Sequence, residues 1–333
     1  MQHRESYLQA AKECGFELAG VAAAARVGDY SLYFQWLANG RHGRMDYLSA
    51  DRGRLREDPR LLMPSAKSVL CVGKLYKTKD IPDAKISRYA WGFADYHDLM
   101  RSGLEALVGR LSNAWGPFEY KICIDTAPLL ERSLARAAGL GWIGKNTCLI
   151  NEESGSWYFL GEVLVSVELP PPMPPEDRCG TCTRCLDACP TQALTPYVLD
   201  ARRCISYHTI ELREAVPQEF RAALGNHLFG CDICQDVCPW NQRAPETVEP
   251  GFQPREPTPD LEQIAGLTPG EFRERFRRTP VWRTHHRGML RNAALVMGNS
   301  GNACYRPALN RLAHCGDPLV EEHAQWALAQ LPS

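Results

Sequence analysis

Two runs of cysteine between residues 179 and 239 constrain the fold of this chain more than any other feature. The first run, Cys179 to Pro190, has two, two and then three residues between successive cysteines and ends in Cys-Pro. The second run, Cys231 to Pro239, repeats the last part of that spacing and also ends in Cys-Pro. Cys204 stands upstream of it, where the first cysteine of a complete run would be expected. The repeat indicates one small module that holds two similar centres.

The spacing is that of a bacterial two-cluster ferredoxin, in which the fourth cysteine of each run ligates the cluster of the other run. It therefore predicts two 4Fe-4S sites with crossed ligands. The first site comprises Cys179, Cys182, Cys185 and Cys238, and the second comprises Cys189, Cys204, Cys231 and Cys234. Structural zinc is the alternative, but zinc sites usually join two short hairpins in a single tetrahedron. Cysteines in two Cys-Pro runs fit that arrangement poorly.

The composition excludes several classes of protein. With 333 residues and a net charge of -1, the chain is long enough for two or three domains and has no overall field to attract a polyanion. It begins with polar residues and contains no apolar stretch long enough to cross a membrane. A cytoplasmic location is predicted, in which disulfides are not expected. The cysteines outside the two runs are predicted to be small buried hydrophobic residues. These are Cys14, Cys71, Cys123, Cys148, Cys304 and Cys315.

Hydrophobic patterning predicts an α+β chain in three parts. Residues 1–170 form a mixed α/β domain, 171–241 form the inserted ferredoxin-like module, and 242–333 form a linker that wraps the core and then HEAT-like helices. The first part is predicted to contain strands over 16–25, 67–76, 118–124 and 157–169, and helices over 3–14, 30–39, 96–114 and 129–138. Three further helices are predicted between 287 and 331.

Two aspartates stand where a helix could be capped. Asp29 precedes the second predicted helix, and Asp125 follows a predicted strand in Asp-Thr-Ala-Pro. A carboxylate at the end of a strand is also a common position for a catalytic group, but the residues alone favour an N-cap for Asp125. The glycine-rich stretch 139–150 suggests close approach of the backbone to another group. It matches neither a phosphate loop nor a dinucleotide fingerprint.

One stretch, 271–291, is markedly basic, with seven arginines against Glu271 and Glu274. Either it is a solvated helix face, or it contacts a phosphate backbone. Seven arginines with Trp282 among them exceed what solubility requires, which favours phosphate contact. This interpretation predicts a nucleic-acid-binding surface that includes Arg275, Arg277, Arg278 and Arg283.

Iron–sulfur clusters transfer single electrons, and a two-cluster module within a larger chain usually supplies a second redox centre. The remaining sequence has no flavin or nicotinamide fingerprint. It also lacks the close three-cysteine motif of radical enzymes that use S-adenosylmethionine. The residues alone therefore indicate an iron–sulfur oxidoreductase whose second redox centre is unidentified.

Several stretches together resemble one family, the epoxyqueuosine reductases. They are ISRYAWGFADYH, CIDTAPLLERSLARAAGLGWIGKNTCLI, CISYHTIE and CDICQDVCPWN, together with the two cysteine runs. The family is cobalamin-dependent, modifies tRNA and is related to reductive dehalogenases. The resemblance implies that cobalamin is the second redox centre and that the first domain binds it. It also implies reduction of epoxyqueuosine to queuosine, the last step of queuosine biosynthesis. The substrate would be the wobble base (34) of tRNAs with GUN anticodons, those for aspartate, asparagine, histidine and tyrosine.

The resemblance implies roles for individual residues. Asp125 would be the proton donor, and Tyr96 and His97 would line the same pocket, although His97 is equally compatible with a hydrogen-bonded core histidine. A carboxylic acid can serve as this donor only if burial raises its pKa. Contacts with cobalamin are implied at Arg56, Lys145, Asn146, Ser206 and Tyr207. No histidine is expected to ligate the cobalt, and His208 stands where the family has leucine.

The predicted partners are a tRNA anticodon stem-loop and a low-potential electron donor such as flavodoxin or ferredoxin, and the chain is predicted to be a monomer. Two other functions remain open. A reductive dehalogenase-like enzyme would act on a small substrate and would not need the basic stretch. A non-catalytic electron-transfer or RNA-binding protein would not need Asp125 in a glycine-rich pocket. Cobalamin binding separates the last possibility from both enzymes, and RNA binding separates the two enzymes.

Overall fold

A computed structural model of the chain describes residues 2–332. The strands are β1 (Leu18–Ala23), β2 (Ser68–Leu75), β3 (Tyr120–Cys123), β4 (Trp142–Ile143), β5 (Leu149–Ile150), β6 (Tyr158–Val165), β7 (Leu194–Thr195) and β8 (Val198–Leu199). The helices are α1 (Gln2–Glu13), α2 (Tyr30–Ala38), α3 (Ala50–Leu55), α4 (Tyr96–Trp115), α5 (Glu131–Ala137), α6 (Arg184–Asp187), α7 (Ile205–Ile210), α8 (Gln218–Arg221), α9 (Ile233–Asp236), α10 (Leu261–Ala265), α11 (Pro269–Phe276), α12 (His285–Asn299), α13 (Arg306–Leu312) and α14 (Pro318–Gln330). The predicted α+β class is confirmed.

One antiparallel sheet, with strand order β1-β2-β6-β3, forms the N-terminal part. Strands β2 and β6 lie in the middle and are buried along nearly their whole length. Helices α1 and α4 cover one face, where Tyr7 and Leu104 are fully buried. Helix α5 covers the other face through Leu134. Strands buried on both faces carry continuous apolar runs instead of alternating ones. Each strand and helix predicted for this part is present.

Short elements bring the two cysteine runs face to face. Cys185 lies in α6 and Cys234 lies in α9, and these two helices contact each other. The hairpins β4–β5 and β7–β8 flank the module. Such short elements leave most of the cysteines on turns, where their thiols can approach a common centre.

The segment after the second cysteine run returns across the N-terminal domain. Ala244 and Phe252 are buried in the core of the sheet, and the Phe252 ring lies 5.1 Å from that of Phe159. This agrees with the predicted wrapping linker. The boundaries predicted for the three parts stay a prediction.

The three helices predicted for the C-terminal tail are α12, α13 and α14. Helix α12 is buried from Gly288 to Gly298. A Cβ atom at Gly298 would lie 2.7 Å from Ala327 of α14, so glycine permits the two helices to pack closely. The likeness of these helices to HEAT repeats stays a prediction. No helix within residues 2–332 has the length and apolar character needed to span a membrane.

Neither of the two predicted aspartates caps a helix through its side chain, although Asp29 does occupy the N-cap position of α2. The Asp29 side chain makes no cap hydrogen bond at α2 and pairs instead with Arg136 at 3.0 Å. Helix α5 begins only at Glu131, with Leu130 in the N-cap position. Asp125 is therefore free of a capping role, because it lies well upstream of the first turn of α5.

Two further expectations need correction. The basic stretch is not one solvated helix, because a 3₁₀ turn over Pro280–Thr284 separates α11 from α12. Its last arginine, Arg291, is buried and donates hydrogen bonds to backbone carbonyls. Cys304 and Cys315 are exposed, so they are not the buried residues predicted, whereas Cys71 and Cys123 are buried.

Candidate active site and iron–sulfur module

The first predicted cysteine set surrounds one cavity. This cavity has an empty volume of about 400 Å³, and its lining includes Cys179, Cys182, Cys185 and Cys238. Burial is the main cause that raises the pKa of Cys238 to about 11. The nearby charges of Cys179 and Cys185 add to this rise. The thiol from the second run has therefore joined three thiols from the first, which is the crossed grouping that the spacing predicts.

The second predicted set is also brought together. Burial is the main cause that raises the pKa of Cys231. The nearby charges of Cys204 and Cys189 add to this rise. A hydrogen bond with Cys148 and then burial raise the pKa of Cys234, and the charges of Cys231 and Cys204 add to this rise. The Cys189 Sγ atom also accepts a hydrogen bond of 3.3 Å from the Ala193 N–H. The structure thus places the eight cysteines near one another in the two predicted sets. Their ligation of two clusters stays a prediction.

The turn between β4 and β5 braces both groups. The Lys145 Nζ atom donates to the carbonyls of Gly180 and Cys182 at 2.6 and 3.0 Å. The Asn146 Nδ2 atom donates to the Cys234 carbonyl at 3.0 Å. In this structure the two side chains hold the cysteine module, and their contact with cobalamin stays a prediction.

Cys148, on the same turn, lies against the second group. A hydrogen bond with Cys234 lowers the pKa of Cys148 to about 7, although burial opposes the shift. Sequence reasoning treated this residue as a scattered hydrophobic one. Its place within the glycine-rich stretch 139–150 was the available signal that it lies near a functional centre.

Asp125 stands just after β3 in a left-handed backbone conformation, with φ of +41°. Its N–H donates to Glu131 Oε1 at 2.7 Å. Its Oδ2 atom lies 3.2 Å from His97 Nε2. His97 is in the first turn of α4, and its other ring nitrogen lies 2.7 Å from Asp95 Oδ1. The imidazole ring is therefore held between two carboxylates. The His97 side chain is 36% exposed, so it is not a hydrogen-bonded histidine of the core.

The pKa values of His97 and Asp125 shift in opposite directions, and the shift of Asp125 differs from the expected rise. Burial opposes the charged form of His97, but hydrogen bonds to Asp125 and Asp95 raise its pKa to about 9. The hydrogen bond from His97 lowers the pKa of Asp125 below its ordinary value, against burial, and Arg283 adds to this effect. In the uncovered site the pKa of Asp125 is thus lowered and that of His97 is raised. The expected rise in the pKa of Asp125 concerns a site closed by cobalamin and tRNA, and it stays a prediction.

Arg283 of the basic stretch lies in this site. Its Nε atom is 2.7 Å from Glu211 Oε1, and its Nη1 atom is 3.8 Å from Asp125 Oδ2. Its Nη2 atom donates to the Tyr47 hydroxyl at 2.9 Å, and its guanidinium group lies 5.5 Å from the centre of the Tyr47 ring. The residue predicted to contact tRNA phosphate thus also borders the candidate proton donor.

The other arginines predicted to bind tRNA differ in exposure and in whether they form ion pairs. Arg275 forms an ion pair with Glu256, and only 20% of its side chain is exposed. Arg277 and Arg278 are exposed, and neither forms an ion pair with any residue in 2–332. These two remain the members of the predicted surface best able to meet an external anion.

A row of contacting aromatic rings, called the ring stack below, extends from the Asp125 site into the domain. The ring of Tyr96 lies 4.0 Å from that of His97 and 4.1 Å from that of Phe159. Tyr76 follows at 4.5 Å from Phe159, and Trp157 lies 5.9 Å from Tyr76. A cavity with about 360 Å³ of empty space adjoins the stack. Its lining is Tyr76, Arg132, Cys148, Leu149, Ser156, Tyr158, Leu160 and Gln235.

The remaining predicted cofactor contacts lie in two places. Arg56 is buried and donates to the Arg52 carbonyl at 2.9 Å. Its charge opposes the rise that burial causes in the pKa of Glu131. It therefore lies behind the Asp125 loop. Ser206 and Tyr207 lie in α7, where the Tyr207 hydroxyl accepts from the Arg44 N–H at 2.9 Å. The roles of these residues in binding cobalamin stay predictions.

His208 behaves as an apolar residue. Only 1% of it is exposed, and neither ring nitrogen has a hydrogen-bond partner among the described residues. Burial and the nearby charge of Arg291 lower its pKa to about 4. A neutral, buried ring in this position is compatible with the leucine that the family has there.

Comparisons with known proteins agree with this site. Residues 178–241 match a family described as a 4Fe-4S double cluster binding domain, and residues 56–126 match the family Epoxyqueuosine reductase QueG, DUF1730. The epoxyqueuosine reductase of Xanthomonas campestris pv. campestris is 44% identical over 96% of this chain and 94% of its own length. The chain belongs to the epoxyqueuosine reductase family. The epoxyqueuosine reductase of Pseudomonas aeruginosa is 42% identical, over 95% of this chain and 91% of its own.

Solved epoxyqueuosine reductases share the whole fold. A structure with an epoxyqueuosine-modified tRNA-Tyr stem loop has a TM-score of 0.89 and 32% identity, covering 99% of this chain and 90% of that one. The Bacillus subtilis structure, whose catalytic aspartate loop is swung out of the active site, has a TM-score of 0.90 and 31% identity. That match covers 100% of this chain and 91% of the other.

Membership of the epoxyqueuosine reductase family makes this protein an oxidoreductase with a double-cluster domain. The structural-zinc and non-catalytic interpretations are therefore wrong. Residues near Asp125 that sequence reasoning missed include Tyr47, Glu131 and Glu211. Glu131 and Glu211 both lie in stretches that carry the family resemblance, which was the one signal available for them.

Proposed function

We propose that the chain reduces epoxyqueuosine to queuosine at the wobble position of tRNAs with GUN anticodons, with electrons that pass through two 4Fe-4S clusters to cobalamin. The observation that carries this proposal is the position of Asp125 at one end of the ring stack. The other end, at Trp157, adjoins Ser156, whose hydroxyl accepts from Gln235 of the cysteine module at 3.0 Å. A proton donor and an electron supply would therefore lie at the two ends of the ring stack.

The two cysteine groups suggest the direction of electron flow. Cys234 of the second group contacts Cys148, which lines the cavity beside the ring stack. The first group lines a separate cavity with the exposed residues Arg178 and Arg184. Electrons from a flavodoxin or ferredoxin would enter at the first cluster and leave from the second. Low-potential 4Fe-4S centres are suited to this task.

The cavity beside the second group fits part of a corrinoid cofactor. Leu149, Leu160 and Tyr76 provide apolar surface, and Arg132, Ser156 and Gln235 provide polar groups at its edge. This combination suits a flat macrocycle with amide groups on its periphery. The volume is sufficient for an edge of the ring only, and Arg56 behind the Asp125 loop could hold another part. Bound cobalamin would supply the electron pair that opens the epoxide.

The position of Asp125 also suits a macromolecular substrate. Its side chain is 37% exposed, so a base can approach it from outside. Sequence-specific RNA recognition commonly uses unstacked bases of single-stranded loops. Arg277 and Arg278 would contact the phosphate backbone, while the modified anticodon base reaches Asp125.

The chemistry requires two protons. An epoxide that takes up two electrons and two protons yields an alkene and one water molecule. His97 holds one proton at neutral pH, and its Nε2 atom faces Asp125 Oδ2. The pair can deliver that proton to the epoxide oxygen through Asp125, which removes the need for a permanently neutral carboxylic acid.

The test is anaerobic purification with added cobalamin, followed by metal analysis and assay. We expect about one cobalt and about eight irons per chain, and conversion of epoxyqueuosine in tRNA-Tyr from a strain that accumulates it. A tRNA without a GUN anticodon, and therefore without epoxyqueuosine, serves as the control. Full iron content without cobalt, together with absent turnover, would contradict the proposal.

A further inference from the structure

The turn over residues 144–148, between β4 and β5, reaches both cysteine sets and has a fixed shape. The Thr147 N–H donates to the Gly144 carbonyl at 2.8 Å, and the Gly144 N–H donates to the Cys148 carbonyl at 2.9 Å. Thr147 has a left-handed conformation with φ of +66°, and its carbonyl accepts from Arg132 Nη1 at 2.9 Å. The side chains on this turn therefore have defined positions relative to the cysteines.

Lys145 makes three contacts with one loop of the first cysteine set. Its backbone N–H donates to Cys179 Sγ at 3.4 Å. Its Nζ atom donates to the carbonyls of Gly180 and Cys182 at 2.6 and 3.0 Å. Lys145 also lines the cavity that the four thiols of this set surround. The ammonium group thus lies against the segment predicted to wrap one side of the first cluster.

The other charged groups beside this set are more exposed to water. Arg178 forms an exposed ion pair with a glutamate, and Arg184 and Asp177 are also exposed. Asp177 Oδ1 accepts the Cys179 N–H at 2.8 Å and is the acid that opposes the charge of Lys145. Water and salt screen exposed charges more strongly than partly buried ones. Lys145 is partly buried, so its charge should have the largest effect on the cavity.

The second cysteine set has a neutral contact in the same place. Asn146, the next residue on the turn, donates through Nδ2 to the Cys234 carbonyl at 3.0 Å. Arg203, which precedes Cys204 in the sequence, is exposed and donates to the Thr191 carbonyl at 2.9 Å. Two neighbouring residues of one turn thus brace the two sets, the first with a charge and the second without one.

A further donor on the same hairpin shows that the cavity suits an iron–sulfur centre. The Trp142 ring packs with Cys179, Cys238 and Trp240 in one small apolar cluster, and only 2% of Trp142 is exposed. Its Nε1 atom makes no hydrogen bond within residues 2–332. A buried N–H without an acceptor costs free energy. The sulfur atoms of a bound cluster would supply that acceptor.

We propose that Lys145 raises the reduction potential of the first cluster, so that a one-electron donor protein can reduce it. This inference rests on the proposed function. The cluster gains one negative charge when it accepts an electron, and a fixed positive charge and N–H···S hydrogen bonds favour that reduced form. The donor loses one electron and the cluster gains it, so no bond forms or breaks. Lys145 acts through the cluster and does not touch the substrate.

The test is an anaerobic redox titration, followed by electron paramagnetic resonance, of protein without cobalamin or tRNA. Lys145→Gln removes the charge but can still donate to the two carbonyls. One of the two midpoint potentials should fall. At a fixed applied potential, the ratio of reduced to oxidised first cluster should decrease about tenfold, which corresponds to about 59 mV for one electron. The other potential should change by less than about a third of that shift, because its cluster is farther from the charge.

Three matched variants separate charge from packing. Lys145→Arg keeps the positive charge, so the ratio of reduced to oxidised cluster should stay within about threefold of the original. Arg184→Gln removes an exposed charge from the lining of the same cavity and should change the ratio by less than about twofold. Asp177→Asn removes the opposing charge and should move the potential upwards. Equal shifts in Lys145→Gln and Lys145→Arg would attribute the effect to packing and overturn the proposal.

Iron content and the visible spectrum are measured on every variant. Unchanged potentials in a fully loaded Lys145→Gln protein would overturn the proposal. Loss of about half of the iron from this variant, under conditions in which the unaltered protein keeps about eight irons, would do so too, because Lys145 would then hold the loop and not set the potential. Failure of the unaltered enzyme to reduce epoxyqueuosine would refute the proposed function but leave these potentials valid, so the two failures are distinguishable.

Discussion

The proton shared by His97 and Asp125 belongs to the imidazole ring before substrate binds. The pKa of His97 is raised to about 9, whereas that of Asp125 is lowered. A covering substrate would exclude water from the 37% of the Asp125 side chain that is exposed. Loss of water disfavours the charged forms of both groups. The proton can then move to Asp125, which makes the aspartate an acid at the moment when one is needed.

This assignment predicts the effect of Asp125→Asn. Asparagine tolerates the left-handed conformation that Asp125 adopts, so the loop should keep its shape. We expect clusters, cobalamin and tRNA to bind as before, while the single-turnover rate falls by about 10²- to 10⁴-fold, the usual contribution of a general acid. Asp29→Asn, which alters an ion pair with Arg136, is the matched control. An Asp125→Asn enzyme of full activity would remove Asp125 from the mechanism.

The raised pKa of His97 predicts a pH limit. The charged ring and the stability it contributes are fully present below the ordinary histidine pKa of about 6.5. Both are lost as the pH rises through about 9, the folded-state value. The single-turnover rate should therefore fall above about pH 9, and His97→Gln should lack this limb at a much lower rate. A rate that stays constant to pH 10 would contradict proton storage on His97.

At the scale of elements, the break between α11 and α12 decides what the basic stretch can do. The 3₁₀ turn over Pro280–Thr284 directs Arg283 to Glu211 and Asp125. Arg291, in α12, is turned into the interior. Arg277 and Arg278, between α11 and the turn, remain exposed. One run of like charges is thus divided between a surface, an active site and a core.

That division predicts two kinds of arginine variant. Arg277→Glu with Arg278→Glu should weaken tRNA binding and reduce the slope of log K against log salt by about 0.7 to 0.9 for each phosphate that the variant no longer neutralises. Arg283→Gln should mainly lower the turnover rate, because it removes the positive charge that pairs with both Glu211 and Asp125. Filter binding over a salt series and single-turnover assays distinguish the two effects. Equal salt slopes for all three proteins would contradict the assignment.

Local features of this chain were predictable from sequence, whereas contacts between residues far apart in the sequence were not. Cysteine spacing within short runs fixes which thiols can share a centre, and apolar runs such as β2 mark strands buried on both faces. The approach of Arg283 to Glu211 joins residues that are far apart in sequence, and no local pattern encodes it. The burial of Arg291 could not be predicted for another reason. Within an arginine-rich run, the sequence does not distinguish a buried guanidinium group from its exposed neighbours.

For the whole molecule, the three parts of the chain meet at Asp125. Asp125 comes from the sheet domain, Glu211 from the cysteine module and Arg283 from the C-terminal region. Electrons would come from the module and protons from the sheet domain. The relative positions of the parts therefore matter for activity, and buried polar contacts between them should control stability.

Arg291 is the strongest of these contacts. Its guanidinium group donates to the carbonyls of His208, Leu212 and Glu214 at 2.6, 2.8 and 2.9 Å, and 1% of the residue is exposed. Arg291→Met keeps the volume but leaves those carbonyls without donors, each at a cost of about 1–3 kcal/mol. We expect a total loss of ~3 kcal/mol or more in the free energy of unfolding, measured anaerobically in denaturant. Arg287→Met, which removes an exposed pair with Asp317, should cost less than about 1 kcal/mol. Equal losses in the two variants would show that Arg291 does not join the module to the C-terminal helices.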